Sequence, residues 1–301
     1  MMLRSITAVG DGSEFDAPAR EPALERVDKS VRPAVLQAIS SIRERYFEPI
    51  TLADLASEVF VSRFHFSRMF ADATGVTPGR FLTAVRLFEA KRLLLTTSLN
   101  VSDIVCSVGY SSVGTFTSRF SRAVGMTPTQ YREPQVAELL VAISPTLRRL
   151  PPLRTLRAAG RNCASLQSGT GELAIQLDLP SGSAPADTLV GLFADPVPQC
   201  GPVAFTGMAN VHSAELTING APAGQWTAIA VAQHQPGAAG PRFSIAYSTV
   251  HVAPHGRSAT RIALRAPAPT DAPIAITLAS KQSPFTQRML ADARPHLRAV
   301  A

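Results

Sequence analysis

The sequence is short of cysteine, of lysine and of long apolar runs, and two of these shortages exclude whole classes of protein. Its 301 residues hold three cysteines, Cys106, Cys163 and Cys200. They lie too far apart for a disulfide framework or a C-x-x-C metal pair. No apolar run approaches the length of a membrane-spanning helix, and Met1 to Glu14 lacks the apolar core of a Sec-type signal peptide. The expectation is a soluble cytoplasmic protein with no membrane partner. Catalytic signatures are missing too: there is no G-x-S-x-G, no H-E-x-x-H, no P-loop, and no G-x-G-x-x-G in a strand–helix setting. His251 and His255 are four apart but straddle Pro254, which argues against a metal pair. Cys163 stands alone in a basic stretch, the usual setting of an inert thiol. No enzyme activity, cofactor or metal is expected.

What is present is ample apolar material and a basic balance. Apolar residues make up 46% and charged residues 17%, enough to fill real cores, and the length suits two domains. The net charge is +7, carried by 26 arginines and only three lysines. Residues 30–132 hold 12 basic and 7 acidic side chains, and residues 133–301 hold 13 and 9, so the excess is spread over both halves. Such a charge admits a polyanionic partner without identifying one.

Periodicity divides the chain. Residues 1–29 carry no sustained helical period and read as a flexible tail. Residues 30–133 repeat apolar positions at helical spacing. Residues 134–170 read as a basic connector, with Arg148, Arg149, Arg154, Arg157 and Arg161 around Pro151-Pro152. From 171 to 301 the period shifts to two, which signals strands. Seven or eight short alternating runs separated by Pro/Gly turns, one of them expected at Asn219-Gly220, argue for an antiparallel sandwich. Thr286 to Leu297 reads as a terminal helix. The fold class is therefore two-domain: an all-α domain followed by an all-β antiparallel sandwich.

The helical half contains an internal repeat. Ser62 to Phe70 aligns with Ser112 to Phe120 at an offset of 50, as do Gly75-Val76-Thr77-Pro78 with Gly125-Met126-Thr127-Pro128, and Phe81 with Tyr131. Upstream the offset becomes 49, matching Leu55-Ala56 to Ile104-Val105, so the second copy holds one extra residue around Tyr110-Ser111. Two copies are too few for a solenoid; a duplicated helix–turn–helix fits. Thr51 and Ser62 can cap helix starts. Leu52, Leu55, Ala56 and Val59 make one buried stripe, which Phe66 and Phe70 face as an i, i+4 pair. Gly75 ends the second helix. The segment from Phe81 to Leu95 has no Gly or Pro and reads as one continuous helix between the copies.

The outward face of the first copy's second helix carries Phe64, Ser67, Arg68 and Ala71. Arginine can bridge guanine O6 and N7, and an apolar ring can pack on thymine methyls. The alternative is that Phe64 packs beneath a neighbouring helix and Arg68 is a solvated charge. The second copy presents only short side chains there, Gly114, Thr115, Thr117, Ser118 and Ser121, with Val113 at the edge. These suit phosphate and methyl contacts rather than bidentate base contacts, and Arg119 and Arg122 flank them as candidate phosphate ligands.

These motifs resemble the AraC/XylS family of bacterial transcription regulators. The resemblance rests on Leu55-Ala56 with Ser62, Phe66-Ser67-Arg68 and Phe70; on Arg86-Leu87, Ala90 and Leu93-Leu94; and on Ile104-Val105, Gly109-Tyr110, Phe116, Phe120, Gly125-Met126-Thr127-Pro128 and Tyr131-Arg132. It implies a seven-helix domain with two recognition helices, about 62–74 and 112–124. It places DNA contact on Arg63, Phe64, Ser67 and Arg68, and on Val113, Gly114, Thr115, Thr117 and Ser118. Thr117-Ser118 departs from the Ser-Arg common in the family, and the domain precedes its companion domain instead of following it. The implied partners are double-stranded DNA and RNA polymerase.

The strand-rich half is similar to transthyretin-like and carboxypeptidase-regulatory-like sandwiches. Its expected role is to sense a small-molecule effector, to pair two copies of the chain, or neither. The leading reading is a sequence-specific transcription regulator that reads two adjacent major-groove segments. The alternative is a ligand-binding sandwich whose DNA-binding domain is only the output.

Overall fold

The computed structural model describes residues 31–162, 169–236, 240 and 242–279. The expected tail, Cys163 and the expected terminal helix lie outside the described residues.

The helical part runs α1 (Val31–Arg45), α2 (Leu52–Glu58), α3 (Arg63–Thr74), α4 (Pro78–Thr96), α5 (Val101–Ser107), α6 (Val113–Val124) and α7 (Pro128–Tyr131). Local chemistry sets nearly every start. Thr51, Ser62, Thr77, Asn100, Ser112 and Thr127 each accept a first-turn amide with the side chain, satisfying donors that have no partner inside the helix. Asp54 and Gln130 return the bond to the capping residue's amide, completing capping boxes at α2 and α7. Gly75 and Gly125 end α3 and α6 with φ of 74° and 84°, a region open to glycine without Cβ strain.

Each motif has its own aromatic core. In the first, Phe66, Phe70 and Phe81 pack with Leu55 and Ala56 and with Val35, Ile39 and Ile42 of α1. In the second, Phe116, Phe120 and Tyr131 pack with Ile104, Val105 and Val108. The rings stack alike: Phe70–Phe81 centroids are 5.5 Å apart at 84°, and Phe120–Tyr131 are 5.6 Å apart at 90°. Helix α4 spans about 28 Å at 1.5 Å per residue. Its Phe81, Ala84 and Val85 enter the first core, and its Leu87, Ala90 and Leu94 enter the second. One detail of the expected stripe differs: Leu52 is 39% exposed, because it opens the first turn of α2, ahead of the stretch that α3 covers.

The strand-rich part contains β3 (Gly171–Asp178), β4 (Ala186–Phe193), β5 (Ala204–Val211), β6 (Ser213–Ala221), β7 (Gly224–His234), β8 (Phe243–Val252), β9 (Gly256–Ala263) and β10 (Ile274–Thr277). Two sheets, β5-β4-β7-β8 and β6-β3-β9, face one another. Leu173, Ile175, Leu177, Leu216 and Ile218 of one sheet meet Val190, Leu192, Trp226, Ala228 and Val250 of the other. Every named pairing is antiparallel except one: β3 and β9 run parallel, from Gly171 opposite Gly256 to Asp178 opposite Ala263. The turn expected at Asn219-Gly220 is also different. Strand β6 continues to Ala221, and Glu172 pairs with Asn219 while Gly171 pairs with Ala221. Gly220, at φ 69°, is the extra residue of a β-bulge.

The stretch 134–170, expected as a connector, contributes structure of its own: α8 (Pro134–Glu138), β1 (Leu140–Ile143), β2 (Arg148–Arg149) and α9 (Leu153–Asn162). Strand β1 pairs antiparallel with β10, Leu140 opposite Thr277 and Ile143 opposite Ile274. Together with α9 this small sheet covers the outer face of the four-stranded sheet, where Leu189, Phe193, Ile229, Val231 and Ile245 meet Val141, Ile143, Leu153, Leu156, Ile274 and Ile276. The result is three layers. The central one is covered on both faces, which is why several of its strands lack clean alternation.

The helical and strand-rich parts share a polar and apolar seam. Lys91 of α4 is fully buried and donates to the Gln199 carbonyl at 2.8 Å, to Gln199 Oε1 at 3.0 Å and to the Ala275 carbonyl at 2.7 Å. Arg80, in the first turn of α4, pairs with Asp195. Arg43 donates to the Pro269 carbonyl at 2.8 Å. Val197 and Ala272 complete the first helical core.

Candidate nucleic-acid interface

The two turns that precede α3 and α6 match bond for bond at an offset of 49. Phe60 N donates to the Ser57 carbonyl at 3.1 Å and Val61 N to the Ala56 carbonyl at 3.1 Å. Gly109 N donates to Cys106 at 3.2 Å and Tyr110 N to Val105 at 3.1 Å. Ser62 and Ser112 then cap their helices, so Ser111 is the extra residue. The turn residue is left-handed in both copies, Phe60 at φ 56° and Gly109 at φ 78°. At Gly109 a Cβ would lie 2.8 Å from the carbonyl oxygens of Tyr46 and Phe47, so only glycine fits. At Phe60 the side chain points into solvent and is 95% exposed.

Helix α3 buries Phe66, Met69 and Phe70. Its opposite side carries the expected face: Arg63 and Arg68 are exposed, Ser67 and Ala71 half-buried, and Phe64 is 85% exposed. The alternative in which Phe64 packs beneath a neighbouring helix is therefore overturned. Phe60 adds a second exposed ring at the mouth of the same helix. Sequence reasoning missed it, although the repeat aligns it with Gly109 and so marks a bulky residue at a glycine position.

Helix α6 buries Phe116, Phe120 and Val124. Val113, Gly114, Thr115 and Ser118 are exposed and Thr117 is half-buried. At 100° per residue, Gly114, Thr117 and Ser118 occupy one flank, equivalent to Phe64, Ser67 and Arg68 of α3. Arg119 and Arg122 are exposed on the other flank. There they line a cavity of about 280 Å³ with Ala123, with Phe193 at the end of β4, and with the loop that joins β4 to β5, including Asp195, Val197 and Val203. The Arg119 guanidinium lies 6.0 Å from the Tyr110 ring centroid. Arg86 of α4 lies 5.7 Å from that ring and donates to the carbonyls of Tyr46 at 2.6 Å and Glu48 at 2.7 Å. Burial pulls its pKa below the ordinary guanidinium value. Arg86 thus ties the end of α1 to α4 and supports the first motif from behind.

In the connector, Arg148, Arg149 and Arg154 are exposed. In the strand-rich part His234 is buried and bonded, Nδ1 2.9 Å from the Ala184 carbonyl and Nε2 2.8 Å from Ser244 Oγ. His255 Nδ1 lies 3.2 Å from Thr170 Oγ1. Among the described residues no group of three or more His, Cys, Asp or Glu is placed to hold a metal ion, and no helix is long and apolar enough to cross a membrane.

Residues 55–134 match a family model described as a helix-turn-helix domain. The chain is similar to the lactose operon transcription activator of Staphylococcus xylosus, 32% identical over 98 residues, which cover 33% of this chain and 35% of that protein. It is also similar to the xylose operon regulatory protein of Escherichia coli K12, 33% identical over 101 residues, covering 34% and 26%. The chain thus spans about a third or less of these relatives' length. Among solved structures, an AraC-type transcriptional regulator from Chromobacterium violaceum is 30% identical, covering 35% of this chain and 94% of that one, with a TM-score of 0.33. With the paired turns, caps and aromatic cores above, the family model identifies residues 55–134 as a helix-turn-helix domain, in line with the resemblance of its motifs to the AraC/XylS regulators.

Proposed function

We propose that the chain is a sequence-specific transcription regulator that binds double-stranded DNA through α3 and α6. The observation that carries this reading is the pair of outward helix faces, open to solvent and joined by the single helix α4. Two such helices on one face of a duplex enter successive major-groove segments roughly 34 Å apart, so one chain reads what many helix–turn–helix proteins read as dimers. The faces divide the work. Arg63, Phe64, Ser67 and Arg68 supply base contacts on α3, while Val113, Gly114, Thr115, Thr117 and Ser118 supply close backbone and methyl contacts on α6. The activity is binding, exercised in the cytoplasm where the DNA is. Similarity to operon regulators supports the reading.

The test is selection of a duplex from a random library, followed by fluorescence anisotropy. Arg68→Ala should weaken binding by ~1–3 kcal/mol and relax preference at one base pair. Unchanged affinity and preference in that variant would overturn the assignment of the recognition face.

A further inference from the structure

The cavity beside α6 has the chemistry of a small-molecule site. It lies between a flank of the second recognition helix and the loop from Ala194 to Val203. Its volume of about 280 Å³ is close to the lower end of the range for small-molecule pockets, roughly 300–1,000 Å³. The floor is apolar, made by Phe193, Val197 and Val203, all buried. The polar groups on the helix side are two guanidinium groups, Arg119 and Arg122. Among the described residues neither has a carboxylate partner, and the one acid in the lining, Asp195, is taken by Arg80.

We propose that this cavity binds an amphipathic carboxylate, its anionic end on Arg119 and Arg122 and its compact apolar body against Phe193, Val197 and Val203. A guanidinium fork fits a carboxylate with two parallel hydrogen bonds. The apolar floor favours a hydrocarbon or aromatic body over a second charged group. Inorganic phosphate would satisfy the arginines and leave the floor empty.

The loop that forms the floor is anchored to α4 at two points, Asp195 on Arg80 and Gln199 on Lys91. An occupant bridging the loop and α6 therefore makes contacts that depend on where α6 sits relative to α4 and α3. Binding of a ligand that distinguishes two placements of α6 shifts their populations, and with them the fit of both recognition helices to one duplex. This regulatory consequence rests on the proposed DNA-binding function; the carboxylate site does not.

The experiment uses the full chain and two probes, 4-phenylbutyrate and octanoate, each compared with its primary amide and with inorganic phosphate by isothermal titration calorimetry. The expected result is saturable 1:1 binding of at least one carboxylate, about tenfold or more tighter than its amide or phosphate, a difference of about 1.4 kcal/mol. R119Q/R122Q should remove that advantage and leave amide binding unchanged. A123F, which fills the cavity from the helix side, should abolish binding of acid and amide. Circular dichroism and Tm check that each variant is folded. Equal binding of acid and amide, equal binding by the wild type and R119Q/R122Q, phosphate bound as tightly as the acids, or no saturable binding of either acid would each overturn the site. With the site filled, affinity for the selected duplex should shift about fivefold or more; an unchanged Kd would overturn the regulatory consequence alone. Failure to select any duplex would overturn the DNA reading and leave the calorimetry standing.

Discussion

Tyr131 and Phe81 hold the same position in the two motifs, fully buried against Phe120 and Phe70. They differ by one hydroxyl, and among the described residues that hydroxyl has no hydrogen-bond partner. Burial accordingly pushes the Tyr131 pKa well up. An unpaired buried hydroxyl carries a desolvation penalty of about 1–3 kcal/mol, so Tyr131→Phe should stabilise the chain by about 1 kcal/mol in urea denaturation. A loss of stability instead would mean the hydroxyl is satisfied. The pairing of Tyr131 with Phe81 was legible in the sequence through the repeat. The missing partner was not, because hydrogen bonding inside a core depends on groups brought together from α4, α6 and α7.

At the scale of elements, the two turns carry the clearest contrast. The same left-handed position is held by Gly109 in one and Phe60 in the other. Left-handed backbone costs a residue with a Cβ roughly 1–2 kcal/mol, and at Gly109 that Cβ would also strike two carbonyl oxygens. Gly109→Ala should therefore cost at least about 2 kcal/mol. Phe60→Gly should gain about 0.5–1 kcal/mol, the strain relieved less the entropy of a freer unfolded chain. Thermal denaturation of the two variants checks both signs; destabilisation by Phe60→Gly would mean that the exposed ring packs on something. The starts of α2 and α3 and the end of α3 were legible at Thr51, Ser62 and Gly75 because caps and terminating glycines act within four residues, whereas α4 begins at Pro78, three residues before the stretch read as helix. Strands β1 and β2 were not, since Leu140–Ile143 is an unbroken apolar run whose partner, β10, lies more than a hundred residues on.

At the scale of the whole molecule, Lys91 is the pin between the helical and strand-rich parts. Three oxygens satisfy its three protons, yet burial pushes its pKa down from 10.5 to about 7. Between those values the unfolded chain binds the proton more tightly than the folded one, so stability rises with pH in that window, by up to about 1.4 kcal/mol per pH unit. The gain ends as pH approaches 10, where ordinary tyrosines ionise on unfolding while the shielded hydroxyls of Tyr131 and of half-buried Tyr247, both pushed up, keep their protons. Urea denaturation at pH 7, 8 and 9 should show this slope in the wild type and its loss in Lys91→Met. A wild-type stability independent of pH there would show that the three acceptors hold the proton fully against burial.

By itself the sequence determined the duplicated motif, its caps, the continuous helix between the copies and the two classes of secondary structure. All of these follow from short-range periods and from side chains bonding to nearby backbone. Only the tertiary structure decided that α6 turns two arginines toward a cavity, that the expected connector builds a third layer, and that Lys91 is buried. Each of these depends on which distant surfaces meet: the loop after β4 on α6, β10 on β1, and both of them on α4.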